Sequence, residues 1–157
     1  CRMLMLAGIG DKDECGRLVD EAVESGEALK HFEMMVKLQG GDVSYIEDTS
    51  KFRKASFSRE VYAPADGYIT HMDSEKIGLT AVLLGAGREK KDDDINHATG
   101  IIIAAKTGDF VKRGELLATL FADDESRLDG AESRYLSAVS IGDKKPAEQP
   151  MILDYID

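Results

Sequence analysis

The hydrophobic period of this chain changes once, near Ser56, and that change constrains the fold more than any other feature. Upstream, apolar residues return every three or four positions, as on one face of a helix. Leu18, Val19, Ala22 and Val23 make one such stripe, and Ala28, Leu29, Phe32, Met35 and Val36 make another. Downstream, short runs of β-branched and aromatic residues stand between Gly, Pro and Asp, as strands do. A helical block followed by a strand-bearing block predicts an α+β chain.

Residues 1–42 read as helices. Met3, Leu4, Leu6 and Ala7 look like the end of a buried helix stopped by Gly8 and Gly10. Asp11 is placed to cap the next helix and Gly26 to end it, and Gln39-Gly40-Gly41-Asp42 closes a third. Helices this short bury little alone. Their apolar faces are expected to cover a sheet or helices absent from this chain or lying later in it. Residues 43–55 read as a connector.

The strand-bearing block opens with Phe57 to Ala63, closed by Pro64. Asp66-Gly67 predicts a tight turn, with Tyr68 to Met72 returning as the second strand of a hairpin. Ser74 is placed to cap a helix from Glu75 to about Leu84, with Ile77, Ala81 and Leu84 inward and Gly85 and Gly87 ending it. Ile101 to Ala104 is a third strand, and Lys106-Thr107-Gly108-Asp109 is a turn. Phe110 and Val111 are expected to point inward before a strand from Leu116 to Phe121. Ser126 to Val139 reads as a helix striped by Leu128, Ala131, Tyr135 and Leu136. The tail carries Pro146 and Pro150 and is expected to be extended, docked by Met151, Ile152, Tyr155 and Ile156. The expected architecture is a set of N-terminal helices followed by a small barrel-sandwich-like β domain with a helical insertion.

Composition narrows the function classes. The formal net charge of -10 argues against a nucleic-acid binder. Basic residues cluster at Lys51 to Lys54 and at Arg88 to Lys91, but the second run leads straight into Asp92, Asp93 and Asp94, so both read as solvated loops. No apolar run reaches the length of a membrane span. Cys1 and Cys15 form no CxxC pair, which points to a reducing, cytoplasmic setting. Cys15 reads as a small, partly buried residue and not a nucleophile. His31, His71 and His97 lack metal-ligand spacing, so no metal is expected. The chain starts at Cys1 inside helix-like sequence without a signal peptide, as expected of a piece of a longer chain.

A family resemblance rests on many short pieces in order. They are Ser25-Gly26-Glu27-Ala28-Leu29, Phe32, Gln39-Gly40-Gly41-Asp42 and Ala65-Asp66-Gly67-Tyr68, then Ile77-Gly78, Leu84-Gly85-Ala86-Gly87-Arg88, Lys91, Asp94-Ile95 and Gly100-Ile101, and finally Lys106, Gly108-Asp109, Val111, Gly114-Glu115 and Leu117. Together they resemble the C-terminal part of pyrimidine-nucleoside phosphorylases, the thymidine phosphorylase family. The likeness covers nearly the whole chain and is weakest after about Leu128. Ile95-Asn96 departs from the Ile-Asp usual in bacterial members, and His97-Ala98-Thr99 from an apolar version. That departure bears on any role for the acidic position.

The resemblance implies an enzyme that splits a pyrimidine nucleoside with phosphate, giving a free base and a pentose 1-phosphate. It implies a helical lobe and a larger α/β lobe with the active site between them. Residues 1–42 would then belong to the α/β lobe, 43–55 to a connector and 56–157 to the C-terminal domain. The partners implied are the N-terminal remainder of the enzyme, its nucleoside and phosphate, and a second copy in a homodimer. No cofactor is implied beyond phosphate as co-substrate, and neither nucleic acid nor membrane.

The family's phosphate and pyrimidine ligands lie upstream of the region matched. Their Ser-Gly-Arg-Gly and Thr-Gly-Gly-Thr signatures are absent, so no catalytic or substrate-binding residue is assigned. The Gly-rich pieces sit at helix C-termini, where carbonyls and the negative dipole end oppose an anion, so Gly40-Gly41 and Gly85 to Gly87 read as helix stops. The remaining candidate is a closure loop opened by Gly85, Gly87 and Arg88, since the family's corresponding region lies toward the cleft. Arg88 supplies a planar fork suited to a phosphate or carboxylate.

Two other readings stand beside this one. Ala63-Pro64-Ala65-Asp66-Gly67 and Gly108-Asp109 through Leu116-Leu117 resemble parts of a biotinyl or lipoyl carrier, but no Met-Lys-Met carries a modifiable lysine. A purely structural interaction domain is the third.

Overall fold

The computed structural model describes residues 1–88, 90–148, 150 and 152–154. The chain divides into two compact units, Cys1–Phe52 and Arg53–Asp157.

The first unit is helical, with α1 (Arg2–Leu6), α2 (Lys12–Glu24), α3 (Glu27–Leu38) and α4 (Ser44–Glu47). Asp11 caps α2 as expected, its carboxylate accepting the Glu14 N–H at 2.9 Å. Such a cap stabilises a helix by about 1 kcal/mol. The expected connector is partly helical: α4 is followed by a 3-10 turn at Thr49–Lys51. Asp42 and Asp48 start these turns by accepting the N–H groups of Ser44 and Ser50. The Ser44 N–H lowers the Asp42 carboxyl from its ordinary value, and the Ser50 hydroxyl, followed by the Ser50 N–H, lowers that of Asp48. α1 is one turn long, and Met3 and Leu6 are 84% and 89% exposed. Cys15 is fully buried, while Val23, Leu29, Phe32, Met35 and Leu38 are exposed. The stripe on α3 therefore remains largely uncovered, while Leu18, Val19 and Ala22 on α2 are half-buried.

The second unit holds two three-stranded antiparallel sheets. Its strands are β1 (Phe57–Tyr62), β2 (Gly67–Met72), β3 (Gly100–Ile103), β4 (Phe110–Val111), β5 (Leu116–Ala122) and β6 (Val139–Gly142). One sheet runs β1-β5-β3 and the other β4-β2-β6. The α+β reading holds, but no barrel closes among the described residues. The predicted hairpin between the first two strands is also overturned, since β1 and β2 lie in different sheets. The reason lies in the four residues between them. Ala63 exchanges backbone bonds with the β4–β5 turn, donating to Glu115 O at 2.8 Å and accepting from Gly114 N at 2.9 Å. The Asp66 carboxylate accepts the Arg113 N–H at 2.6 Å. Pro64 has no N–H to extend the ladder. The segment is thus tied to a distant turn and carries the chain from one sheet to the other.

Both sheets contribute to one core. Val61, Leu117, Ala118 and Leu120 come from one sheet, and Ile69 and Val111 from the other. Each fully buried large side chain contributes about 1.5–3 kcal/mol. Leu128, Ala131, Tyr135 and Ala138 of α6 (Ser126–Ala138) complete the core, as the sequence stripe predicted for the first three. Arg59 of β1 ties this helix to its sheet through Asp129 and Glu132.

Several details differ from expectation. Asp73, not Ser74, caps α5 (Ser74–Ala81), accepting the Lys76 N–H at 3.1 Å. Phe110 is 52% exposed and sets its ring edge against Tyr68 while its neighbour Val111 is buried, because strand residues alternate sides. Val139 does not close α6 but opens β6, which pairs with β2. Ile152 is 56% exposed and so is not docked, and Met151, Tyr155 and Ile156 lie outside the described residues. No described helix is long and apolar enough to cross a membrane.

Candidate functional site

The loop singled out in the sequence leaves α5 through an unusual turn. The α-helix ends at Ala81, short of the expected Leu84, and widens into a π-type turn over Val82–Ala86. Such turns are rare and frequently mark functional sites. Leu84 anchors the turn in the core at 2% exposure. Gly85 breaks it with φ of 105°, a left-handed conformation that costs other residues energy. Gly87 is required by space: a Cβ there would lie 2.6 Å from a methyl of Val82. Arg88 follows and is exposed.

Beyond Arg88 the chain folds back in a short turn. The Lys90 N–H donates to the Asp93 carboxylate at 2.8 Å, and the Asp93 N–H returns to Lys90 O at 3.1 Å. The loop is pinched at its base, where the Asn96 N–H donates to Gly85 O at 3.0 Å. The Gly85 carbonyl is thereby engaged, and the glycines act as a helix stop and loop root.

The base of the loop is strapped to a site that sequence reasoning did not find. Asp123, just past β5, receives four hydrogen bonds. One oxygen accepts from the Ser56 N–H at 2.8 Å and the Ser56 hydroxyl at 2.9 Å. The other accepts from Asn96 Nδ2 and an Arg53 guanidinium nitrogen, both at 2.5 Å. Arg53 also reaches Asn96 Oδ1 at 3.3 Å. The Asn96 bond, the two Ser56 bonds and the Arg53 charge hold the Asp123 carboxyl down at about 2. Asp123 lies 67 positions from Ser56 and 27 from Asn96, so no local motif announces the cluster. The departure at Ile95-Asn96 was the available signal. Asn96 supplies the N–H that a carboxylate at that position would lack.

The Ser56 hydroxyl is spent as a donor to Asp123 at 2.9 Å. Among the described residues no group of three or more His, Cys, Asp and Glu is placed to hold a metal.

A family model described as the pyrimidine nucleoside phosphorylase C-terminal domain matches residues 68–142. The chain is also 40% identical, over 126 residues, to the pyrimidine-nucleoside phosphorylase of Bacillus subtilis (strain 168), covering 80% of this chain and 29% of that protein. The chain belongs to the pyrimidine-nucleoside phosphorylase family. Two further phosphorylases give the same picture. The one from Geobacillus stearothermophilus is 32% identical over 90% of this chain and 32% of its own length. The one from Staphylococcus aureus (strain bovine RF122 / ET3-1) is 36% identical over 90% of this chain and 33% of its own length. The chain therefore spans about a third of the length of the curated relatives it matches. The matched domain begins with β2 and ends with β6, so the π-type turn, the loop and Asp123 all lie within the phosphorylase C-terminal domain. The carrier reading is not favoured.

Proposed function

We propose that this chain is the C-terminal portion of an enzyme that cleaves a pyrimidine nucleoside with phosphate. The products are the free base and ribose or deoxyribose 1-phosphate. The observation that carries the reading is 32–40% identity to phosphorylases across 80–90% of this chain, at only a third of their length. Residues 1–42 belong in this view to the central α/β lobe, 43–55 to a connector and 56–157 to the C-terminal domain. The exposed faces of α2 and α3 are covered by the rest of the enzyme, which works in the cytoplasm as a homodimer without a cofactor.

Phosphorolysis needs a positioned phosphate and stabilised charge on the departing base. This chain's contribution is a packed support and a barrel-like sandwich carrying the loop from Gly85 to Asn96. The loop helps close the cleft, with Arg88 anchoring it to the opposing lobe. Closure excludes water and completes the site, so it acts on turnover without touching the bond that breaks. The test is Arg88→Ala in the full-length enzyme. Turnover falls while the fold is kept, and replacing Lys90 or Lys91 matters less. Parental turnover and nucleoside affinity in Arg88→Ala would reduce the loop to a surface connection.

A further inference from the structure

We propose that Asp123 is a positioning residue for the Gly85–Asn96 loop, acting through Asn96; the proposal rests on the closure reading above. The geometry is a chain of two links. Asn96 holds the loop shut at its base through its N–H on Gly85 O at 3.0 Å. Its side chain is held in turn by Asp123 at 2.5 Å. The carboxylate is held from outside the loop by Ser56, which with Arg53 leads into β1, and by its own place directly after β5; Arg53 spans the two, bonding both Asp123 and Asn96. β1 and β5 pair from Phe57 opposite Ala122 to Tyr62 opposite Leu116, with a break in register only between Val61 and Tyr62, far from Asp123. The loop root is thereby referred to the in-register end of this strand pair.

The chemistry at each position suits this role. The ionised carboxylate has two oxygens and accepts two donors on each. Asn96 is bifunctional: its amide nitrogen donates to Asp123, while its carbonyl oxygen accepts from the Ala98 N–H at 3.1 Å and from Arg53. The backbone beyond it is also engaged, as the Thr99 N–H and hydroxyl both donate to Asn96 O, at 3.2 and 3.0 Å. An amide satisfies donor and acceptor needs here that a carboxylate or an alkyl side chain does not.

The test has two parts. In the 157-residue chain, amide exchange is compared for the parent, Asp123→Asn and Asn96→Ala. A hydrogen bond to a charged group is worth roughly tenfold or more in a local opening equilibrium. The Ala98 and Thr99 amides, and residue 96's own amide in Asp123→Asn, are expected to exchange faster by about that factor, while Leu120 in mid-sheet exchanges as in the parent. Unchanged loop-root exchange, or equal acceleration at Leu120, overturns the proposal.

The second part uses the full-length enzyme. Asn96→Ala is expected to lower kcat with little change in KM, Asn96→Gln to recover part of the loss, and Asn96→Ala to add little on top of Arg88→Ala. If Arg88→Ala lowers kcat and Asn96→Ala does not, the positioning role falls while closure stands. If neither lowers kcat, the closure reading itself falls.

Discussion

Two glycines on one helical segment should respond to the same substitution with opposite signs. Gly78 lies inside α5, and a Cβ built there meets nothing within 4 Å. Gly78→Ala therefore removes the entropic cost of a helical glycine and should stabilise by about 0.5–1 kcal/mol. Gly85 lies seven residues on, at φ of 105°, with Thr99 Oγ1 3.4 Å from the built Cβ. There the same methyl group meets left-handed backbone strain of about 1–2 kcal/mol. For a unit of roughly 100 residues each kcal/mol moves Tm by about 4–8 °C. Gly78→Ala should raise Tm by roughly 2–8 °C, and Gly85→Ala should lower it by roughly 4–16 °C. Melting followed by circular dichroism, with amide exchange across α5 and α6 to confirm which unit responds, decides the matter. A Gly85→Ala protein that melts with the parent or above it would refute the left-handed exit from α5. A Gly78→Ala protein that melts lower would refute the regular helix before it.

Two further predictions concern the second unit. Leu120 is fully buried at the centre of β5, so Leu120→Ala should cost about 2–5 kcal/mol, read as a shift in denaturant midpoint; a loss below 1 kcal/mol would mean this strand is not the middle of the core. The Asp123 carboxyl is held at about 2 against an ordinary 3.8, so its contribution is full above the ordinary value and is lost as pH falls from about 4 toward 2. Asp123→Asn should flatten the acid limb of the stability profile in that window, and an unchanged slope would contradict the cluster.

The helical stripes, the cap at Asp11 and the core face of α6 were legible in the sequence because each depends on neighbours within one or two turns. The glycines at Gly85 and Gly87 were legible as a stop for the same reason, though the π-type turn that they end was not. Pairing of strands was read badly where local chemistry misled. Asp66-Gly67 has the composition of a hairpin turn, yet Asp66 is bound by Arg113, 47 positions away. Nor did the period reveal that Val139 leaves the helix, because its role is set by pairing with Met72 across the second sheet. The Asp123 cluster was invisible for that reason as well: its members come from three separated segments, and only the fold brings them together.

We propose that nucleoside phosphorolysis belongs to the full-length enzyme and that this chain serves it without carrying the chemistry. The deciding measurement is release of free base from uridine or thymidine in the presence of phosphate, on the isolated 157-residue chain and on the full-length protein side by side. The full-length protein should release base in a phosphate-dependent way, and the isolated chain none above background. Turnover that stays with the isolated chain through stringent purification, or a full-length protein that releases no base, would contradict that proposal.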